Sequence, residues 1–446
     1  MYTLLNSIIS LVLISKQNFT AVNFCLLITT LLCLIDIINE INILNVTRFL
    51  GRNYLGLSLV ILTIWLIVCI FITRYKLPHK TVFYYNIVFI LLFLSITFST
   101  QNTIRFFIIF EATLIPTFFL IIGWGANPER INASMFILFY TLAGAIPLLT
   151  IILLIYIKLG TDNFTILSLI FKYNNNINHN NINILLIIGT LAFLIKLPIY
   201  LFHVWLPKAH VEAPVSGSIV LAGVLLKLGT YGLFILVNTI NFTLHKIKTL
   251  IIFGTIGGLF IRVLCLRQTD IKKIVAYSSV VHISFVMIGC IIFSKWRWNG
   301  RIEIILGHGL CSSRLFFLVN VVYTQTNRRS MLINKGFITT RLSITLWWFL
   351  LRICNIAAPP RINLLGEVSL ITSILWWEKT IWFFLFITSF FSGAYTLYLY
   401  SLRQHGKSTN KFFLTGNKIN EHLISLIHWT PLNLLMLKAR FIIFVI

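Results

Sequence analysis

Acidic side chains are scarce in this sequence: 11 Asp and Glu stand against 36 Lys and Arg in 446 residues, and charged residues of either sign make up only 11% of the chain. A water-soluble domain carries about 25% charged residues, so a fold wetted on all sides is excluded. The sequence also contains no G-x-G-x-x-G, no Walker sequence and no G-x-S-x-G, and with them go the usual fingerprints of nucleotide binding and hydrolase chemistry. Its seven cysteines, Cys25, Cys33, Cys69, Cys265, Cys290, Cys311 and Cys354, form no C-x-x-C pair, so neither a zinc nor an iron–sulfur site has the spacing it needs. They read as small buried hydrophobes. If the chain takes part in redox catalysis, other subunits hold the redox centres. Met1 to Ile14 lacks a basic leader and a small-residue cleavage site, and reads as a first span rather than a signal.

What the chain does have is apolar length, with 58% hydrophobic residues. A hydrocarbon core about 30 Å thick needs roughly 20 apolar residues per helix, and such stretches recur throughout. We read about fourteen: 2 to 14, 21 to 39, 54 to 74, 81 to 100, 102 to 123, 133 to 157, 183 to 204, 214 to 239, 247 to 266, 271 to 293, 302 to 324, 341 to 376, 380 to 402 and 420 to 446. The expectation is one all-α polytopic membrane domain over 1–446. The net charge of +25 would suggest nucleic acid in a soluble protein, but Arg74, Lys76 and Lys80, or Arg267, Lys272 and Lys273, sit in short loops between spans. Flanking charge that fixes topology explains them better than phosphate binding, and no nucleic-acid partner is expected. A modest excess of Lys and Arg after odd-numbered spans puts those loops on the inner side and both termini outside. The Asn-rich insertion Tyr173 to Asn183 and the N-x-T sequons at Asn18, Asn45, Asn163 and Asn241 carry no visible chemistry.

With so few acids, one inside a span stands out. Glu111, in FFIIFEATLIPTFFL, lies about nine residues into its span, about 13 Å along a helix at 1.5 Å per residue. An ionised group at such depth costs about 2.5–3.5 kcal/mol on insertion scales, so it needs a cavity or a partner. Lys196, in LAFLIKLPIYLFHVWLP, lies about 20 Å into its span, and Pro198 interrupts the helix beside it. Lys227 lies mid-span, with Gly223 and Gly229 allowing close helix approach. Glu367 follows the double proline Pro359–Pro360 in NIAAPPRINLLGEVSLI. Two interrupted segments, each with an ionisable group, are the mark of a transporter built on inverted repeats with its pathway near the midplane. His203, His282 and His308 are candidate relays, because an unperturbed imidazole titrates near 6.5; hydrogen-bonded packing is the competing role for each. The arrangement fits proton relay rather than nucleophilic catalysis, which needs a base, an orienter and a substrate pocket.

The stretch LIKLPIYLFHVWLPKAHVEAPVSGSIVLAGVLLKLGTYGL, with FEATLIPTFFLIIGWGANPERINA, CLRQTDIKKIVAYSSVVHI, HGLCSS, RSMLINKG, AAPPRINLLGEVS and SGAYTLYLY, resembles the antiporter-like chain 4 family of mitochondrial NADH:ubiquinone oxidoreductase, respiratory complex I. The match runs in register from about residue 100 onward and is loose before it. The resemblance implies fourteen transmembrane helices with two inverted five-helix repeats, over about 101–240 and 247–402, preceded by N-terminal helices in 1–100 and followed by a loop and helix in 403–446. It implies a multi-pass subunit of the mitochondrial inner membrane that helps translocate protons, with Glu111, Lys196, Lys227 and Glu367 as the relay and His203, His282 and His308 as lesser members. In the family's mechanism, Glu111 pairs with Lys196, and changes in that pairing alter the proton affinity of Lys227 and then of Glu367. It also implies neighbouring antiporter-like chains and other membrane-arm subunits as partners, and FMN, iron–sulfur clusters, NADH and ubiquinone held elsewhere in the complex, with no cofactor in this chain. An autonomous Mrp-type cation/proton antiporter is the alternative reading.

Several residues depart from that pattern. The family's HGLCSSG reads HGLCSSR here, placing Arg314 inside a span, and Arg105, Arg262 and Arg352 also sit in apolar runs. There are too few acids to pair them. Invertebrate mitochondria read AGA as serine and ATA as methionine, and this chain has only five Met beside abundant Ile. Some Arg and Ile are therefore expected to stand where the organelle inserts Ser and Met.

Overall fold

The computed structural model describes residues 28–30, 54–73, 79–173, 179–239, 244–292, 294–407 and 419–437. The first two expected spans lie outside these residues, apart from 28–30. Every extended element in the described part is a helix, as the long apolar runs require: in a bilayer, backbone groups must be satisfied within the segment. The helices are α1 Tyr54–Ile72, α2 Lys80–Thr97, α3 Thr103–Ala112, α4 Leu114–Trp124, α5 Arg130–Leu159, α6 Phe164–Tyr173, α7 His179–Lys196, α8 Trp205–Glu212 and α9 Val215–Val220, then α10 Leu226–Thr239, α11 Leu244–Arg267, α12 Ile271–Ile291, α13 Lys295–Thr326, α14 Phe337–Thr340, α15 Leu342–Asn355, α16 Ile362–Trp377, α17 Trp382–Gln404 and α18 Ile419–Leu437. Among the described residues, nine helical stretches are long and apolar enough to cross a membrane.

Burial sorts these stretches into two kinds. In the apolar 18-residue heart of each stretch, 94% of the residues are buried within Ile271–Ile291 and within Trp296–Thr326 and 89% within Val215–Thr239, whereas only 39% and 33% are buried within Arg130–Leu159 and Lys379–Gln404. The outer helices turn large apolar side chains such as Phe119, Phe139, Ile146, Phe386 and Phe390 outward, which suits lipid or another apolar chain. The inner helices are the ones that carry Lys227, His282 and His308.

Both expected breaks are present. Between α7 and α8, residues 197–204 leave the helix, with Leu201 at φ 82°; between α15 and α16, residues 356–361 do so, with Ala357 at φ 62°. Positive φ on a non-glycine residue is strained, and here it accompanies backbone groups that need new partners. Trp205 Nε1 donates to Ile195 O at 3.0 Å across the first break, and Asn363 Nδ2 donates to Cys354 O at 2.9 Å across the second. Irregular backbone at membrane depth is thus repaired by side chains from the far side of each gap.

One order of elements occurs twice. The α3–α4 span, the long α5, the short α6 and the broken pair α7/α8 are matched by α12, the long α13, the short α14 and the broken pair α15/α16. An isolated bridge stands at the same place in each series, Asn102 with Asn163 and Asp270 with Ser330. Helices α6, α8 and α14 all lie between the expected spans, where amphipathic or mixed composition or a length of one turn hides a short helix.

Candidate functional site

Lys227 follows a π-helical turn, Leu221–Leu225, that separates α9 from α10. One extra residue in the turn shifts the carbonyls out of α-helical register, and the Lys227 ammonium donates to Ala222 O inside it. Gly223 and Gly229 act as their spacing predicts. A Cβ on Gly223 would collide with Leu66, and one on Gly229 would lie 2.9 Å from Leu197 Cγ. The helix is therefore held tightly between α1 and the end of α7, with Lys227 only 2% exposed.

From Lys227 an unbroken row of ionisable groups crosses the second half of the bundle. Its Nζ lies 3.1 Å from His308 Nδ1 on α13; the His308 and His282 rings have centroids 5.3 Å apart; and His282 Nδ1, on α12, lies 3.3 Å from Glu367 Oε1 on α16. His282, His308 and Lys227 are all buried, and Nε2 of each imidazole has no hydrogen-bond partner. In the first half, Lys196 Nζ lies 3.3 Å from Glu111 Oε1, donates to Phe110 O at 3.0 Å and sits over the Phe110 ring. The contact is an ion pair without hydrogen-bond alignment, since neither Glu111 oxygen accepts a hydrogen bond. Leu197, next to Lys196, is the residue that packs on Gly229, so α7 and α10 meet just beyond both lysines.

Of the seven residues singled out from sequence, six fall into these two groups. His203 does not. Its ring stacks on Tyr200 and lies tilted against Tyr277, at centroid distances of 5.9 Å, and its Nδ1 has no partner. Arg105 is also placed differently from expectation, exposed in the first turn of α3 rather than inside the bundle. Lys272 is not a loop charge: it is 5% exposed in the first turn of α12 and donates to Val211 O and Ala213 O, both at 3.3 Å, at the C-terminal end of α8.

The sequence reading passed over three buried polar features. His210 on α8 stacks on Phe316 at 4.4 Å with neither ring nitrogen partnered. Glu212 pairs with Arg329 at 3.4 Å. Glu303, on α13, is 2% exposed with Oε2 unpartnered. The signal for Glu303 was present, an acid within a span, as it was for Glu111.

A bundle of buried helices, two of them broken, threaded by lysine, histidine and carboxylate groups in contact, defines a polytopic membrane protein with an internal ionisable pathway. Residues 100–392 match the family model described as NADH:quinone oxidoreductase/Mrp antiporter, TM, and the chain belongs to that family. Its relatives include NADH-ubiquinone oxidoreductase chain 4 of Ceratitis capitata, 44% identical over 90% of this chain and 89% of that one, of Aedes aegypti, 47% identical over 75% and 74%, and of Lumbricus terrestris, 35% identical over 91% of each. The fold is that of a chain of the respiratory complex I from Thermus thermophilus with bound NADH, at TM-score 0.86 and 17% identity over 99% of this chain and 96% of that one. It is also similar to a chain of the archaeal membrane-bound sulfane sulfur reductase, at TM-score 0.83 and 15% identity over 98% and 94%.

Proposed function

We propose that this chain is a core membrane-arm subunit of respiratory complex I that relays protons across the mitochondrial inner membrane as NADH is oxidised by ubiquinone elsewhere in the complex. The observation that carries the reading is the row Lys227–His308–His282–Glu367, in which each group lies within direct or one-water reach of the next. Imidazole can accept a proton on one nitrogen and release one from the other. A proton passed from the Lys227 ammonium to His308 Nδ1 leaves from Nε2 toward His282, and from His282 reaches the Glu367 carboxylate. The two ring nitrogens without partners are the atoms this transfer uses.

Glu111 and Lys196 serve as the electrostatic control. When the carboxylate holds the ammonium, the positive charge near α10 is compensated; when they separate, it is not, and a nearby uncompensated cation disfavours a second one on Lys227. The contact of Leu197 with Gly229 gives that control a mechanical path as well. The repeated order of elements supports two inverted repeats, over about 101–240 and 247–402, each contributing one broken helix. The outward apolar faces of α4, α5 and α17 suit the bilayer and neighbouring antiporter-like subunits. FMN, iron–sulfur clusters and the NADH and ubiquinone sites belong to other subunits on this reading. Chain 4 relatives spanning about nine-tenths of the sequence favour it over an autonomous Mrp-type antiporter.

The test is proton pumping measured beside NADH oxidation in sealed vesicles carrying the intact complex, native against Lys227→Ala at equal assembly. Lower pumping per NADH, or pumping and oxidation falling together, supports the relay; unchanged pumping rejects it.

A further inference from the structure

Four guanidinium groups are buried with no carboxylate in ion-pair contact among the described residues. Arg301 on α13, Arg352 on α15 and Arg403 on α17 are at most 2% exposed, and none of their Nε, Nη1 or Nη2 atoms has a hydrogen-bond partner. Arg262 on α11 is equally buried, with Nε unpartnered. What surrounds them is aromatic. Arg262 Cζ lies 4.9 Å from the Phe285 ring, and Arg301 Cζ lies 4.1 and 4.6 Å from Phe234 and Trp298. Arg352 and Arg403 converge on one indole, with Cζ 5.3 and 3.8 Å from Trp348. A ring face attracts a cation but accepts none of the five N–H donors in the geometry they need. The Cys290 thiol beside Arg301 is a weak acceptor that leaves all three nitrogens unpartnered. Two like charges against one ring, away from water, are an arrangement that folding disfavours.

Other arginines behave as the residue should. Arg329 pairs with Glu212, Arg130 donates to Gly125 O at 2.7 Å, and Arg105 is exposed. Arg297, Arg314 and Arg361 are buried too but donate to the carbonyls of Cys290, Glu421 and Leu350, so the arginines divide into those with a polar partner or water and the four without. Serine, by contrast, is at home in these same helices: Ser278, Ser279, Ser284, Ser312, Ser313 and Ser373 are all buried, and each satisfies itself by donating to the carbonyl three or four residues back.

We infer that residues 262, 301, 352 and 403 are serine in the protein as the organelle makes it, encoded by AGA or AGG, whereas Arg105, Arg130 and Arg329 are encoded by CGN and are arginine. Standard codon reading and a serine-reading organelle code differ at AGA and AGG and agree at CGN, so one rule separates the two populations. The consequence reaches the relay. Arg262 lies within electrostatic range of Glu367 and Tyr395. With serine at 262, no guanidinium competes with His282 for the Glu367 carboxylate, and the space left beside the unpartnered Tyr395 hydroxyl is polar enough to hold water.

The test uses the chain isolated from the native complex. Peptic and chymotryptic peptides across the four positions are expected to fragment with the mass of serine, and trypsin is expected not to cleave there while cleaving after Arg130 and Arg329. Amino-acid analysis of the same material is expected to find arginine at least four residues below the written sequence, which decides the matter even where peptides escape recovery. Arginine at any of the four positions, or a full arginine content, overturns the inference. A failed pumping test would leave it untouched, since it rests on packing and not on transport.

Discussion

Lys227 and His308 stand 81 residues apart in the chain and meet with Nζ 3.1 Å from Nδ1, both buried, with Lys227 also donating to Ala222 O in the π-helical turn and His308 Nε2 left without a hydrogen-bond partner. The pair joins the half of the bundle that carries Glu111 and Lys196 to the half that carries Glu367.

If a proton passes through this contact, the two residues act in series. His308→Ala and Lys227→Ala are each expected to reduce NADH-driven pumping by a similar factor, and the double variant to be no worse than either. The coupling in a double-mutant cycle should fall at about 0.5–3 kcal/mol, as for residues in one network. Additive losses would show two independent roles.

Glu111→Gln leaves the Lys196 ammonium without its carboxylate. Breaking one side of a buried pair costs about 3–5 kcal/mol, and the lower end is expected because the Glu111 side chain retains 17% of its exposure. The amount of assembled complex on native gels should drop, and Lys196→Met added to the same chain should restore assembly without restoring pumping. A single variant that assembles and pumps normally would remove Glu111 from the mechanism.

Gly366 precedes Glu367 and has no room for a side chain. A Cβ there would lie 3.0 Å from Gly300 O and from Ile304 N, both backbone atoms of α13. Gly366→Ala is expected to destabilise the complex by about 1–3 kcal/mol, the usual cost of overpacking, read as a lower thermal-inactivation temperature. It should also move Glu367 relative to His282, so pumping should fall further than the stability loss explains.

Arg329→Gln tests the Glu212 contact that the sequence reading passed over. It leaves a carboxylate that is 6% exposed beside the C-terminal end of α8, at a cost of about 1–3 kcal/mol for a buried unsatisfied group. Looser protection of α8 in hydrogen exchange, with α1 unchanged, is the expected signature.

The parts legible from sequence were those with a strong one-dimensional signal. Runs of apolar residues located most of the long helices to within a few positions, although α7 ends at Lys196 where the run continues to 204 and α13 begins at Lys295 where the run begins at 302; prolines at 198, 359 and 360 located both breaks. Glu111, Lys196, Lys227 and Glu367 were visible because an ionisable group in an apolar span is rare. Their partners were less so: nothing in the spacing of Lys227 and His308 says that α10 and α13 touch, since that contact is made by packing between helices distant in sequence. His203, an expected relay, lies apart from both groups, its ring stacked on Tyr200 and tilted against Tyr277, a placement that its spacing from Lys196 does not reveal. Lys272 misled in its own way, because a basic residue at the end of a span looks the same whether it faces water or caps α8.

The π-helical turn at Leu221–Leu225 makes this stretch a place where the chain carries one residue more than a straight rod requires. Each residue of an α-helix turns the axis by about 100°, so a deletion elsewhere in α9 or α10 before Lys227 would swing the ammonium off His308. A deletion inside the turn would instead be absorbed, closing it to an ordinary α-helix with Lys227 still on the same side. What it would remove is the displaced carbonyl of Ala222, leaving the lysine aimed correctly but without its internal resting place.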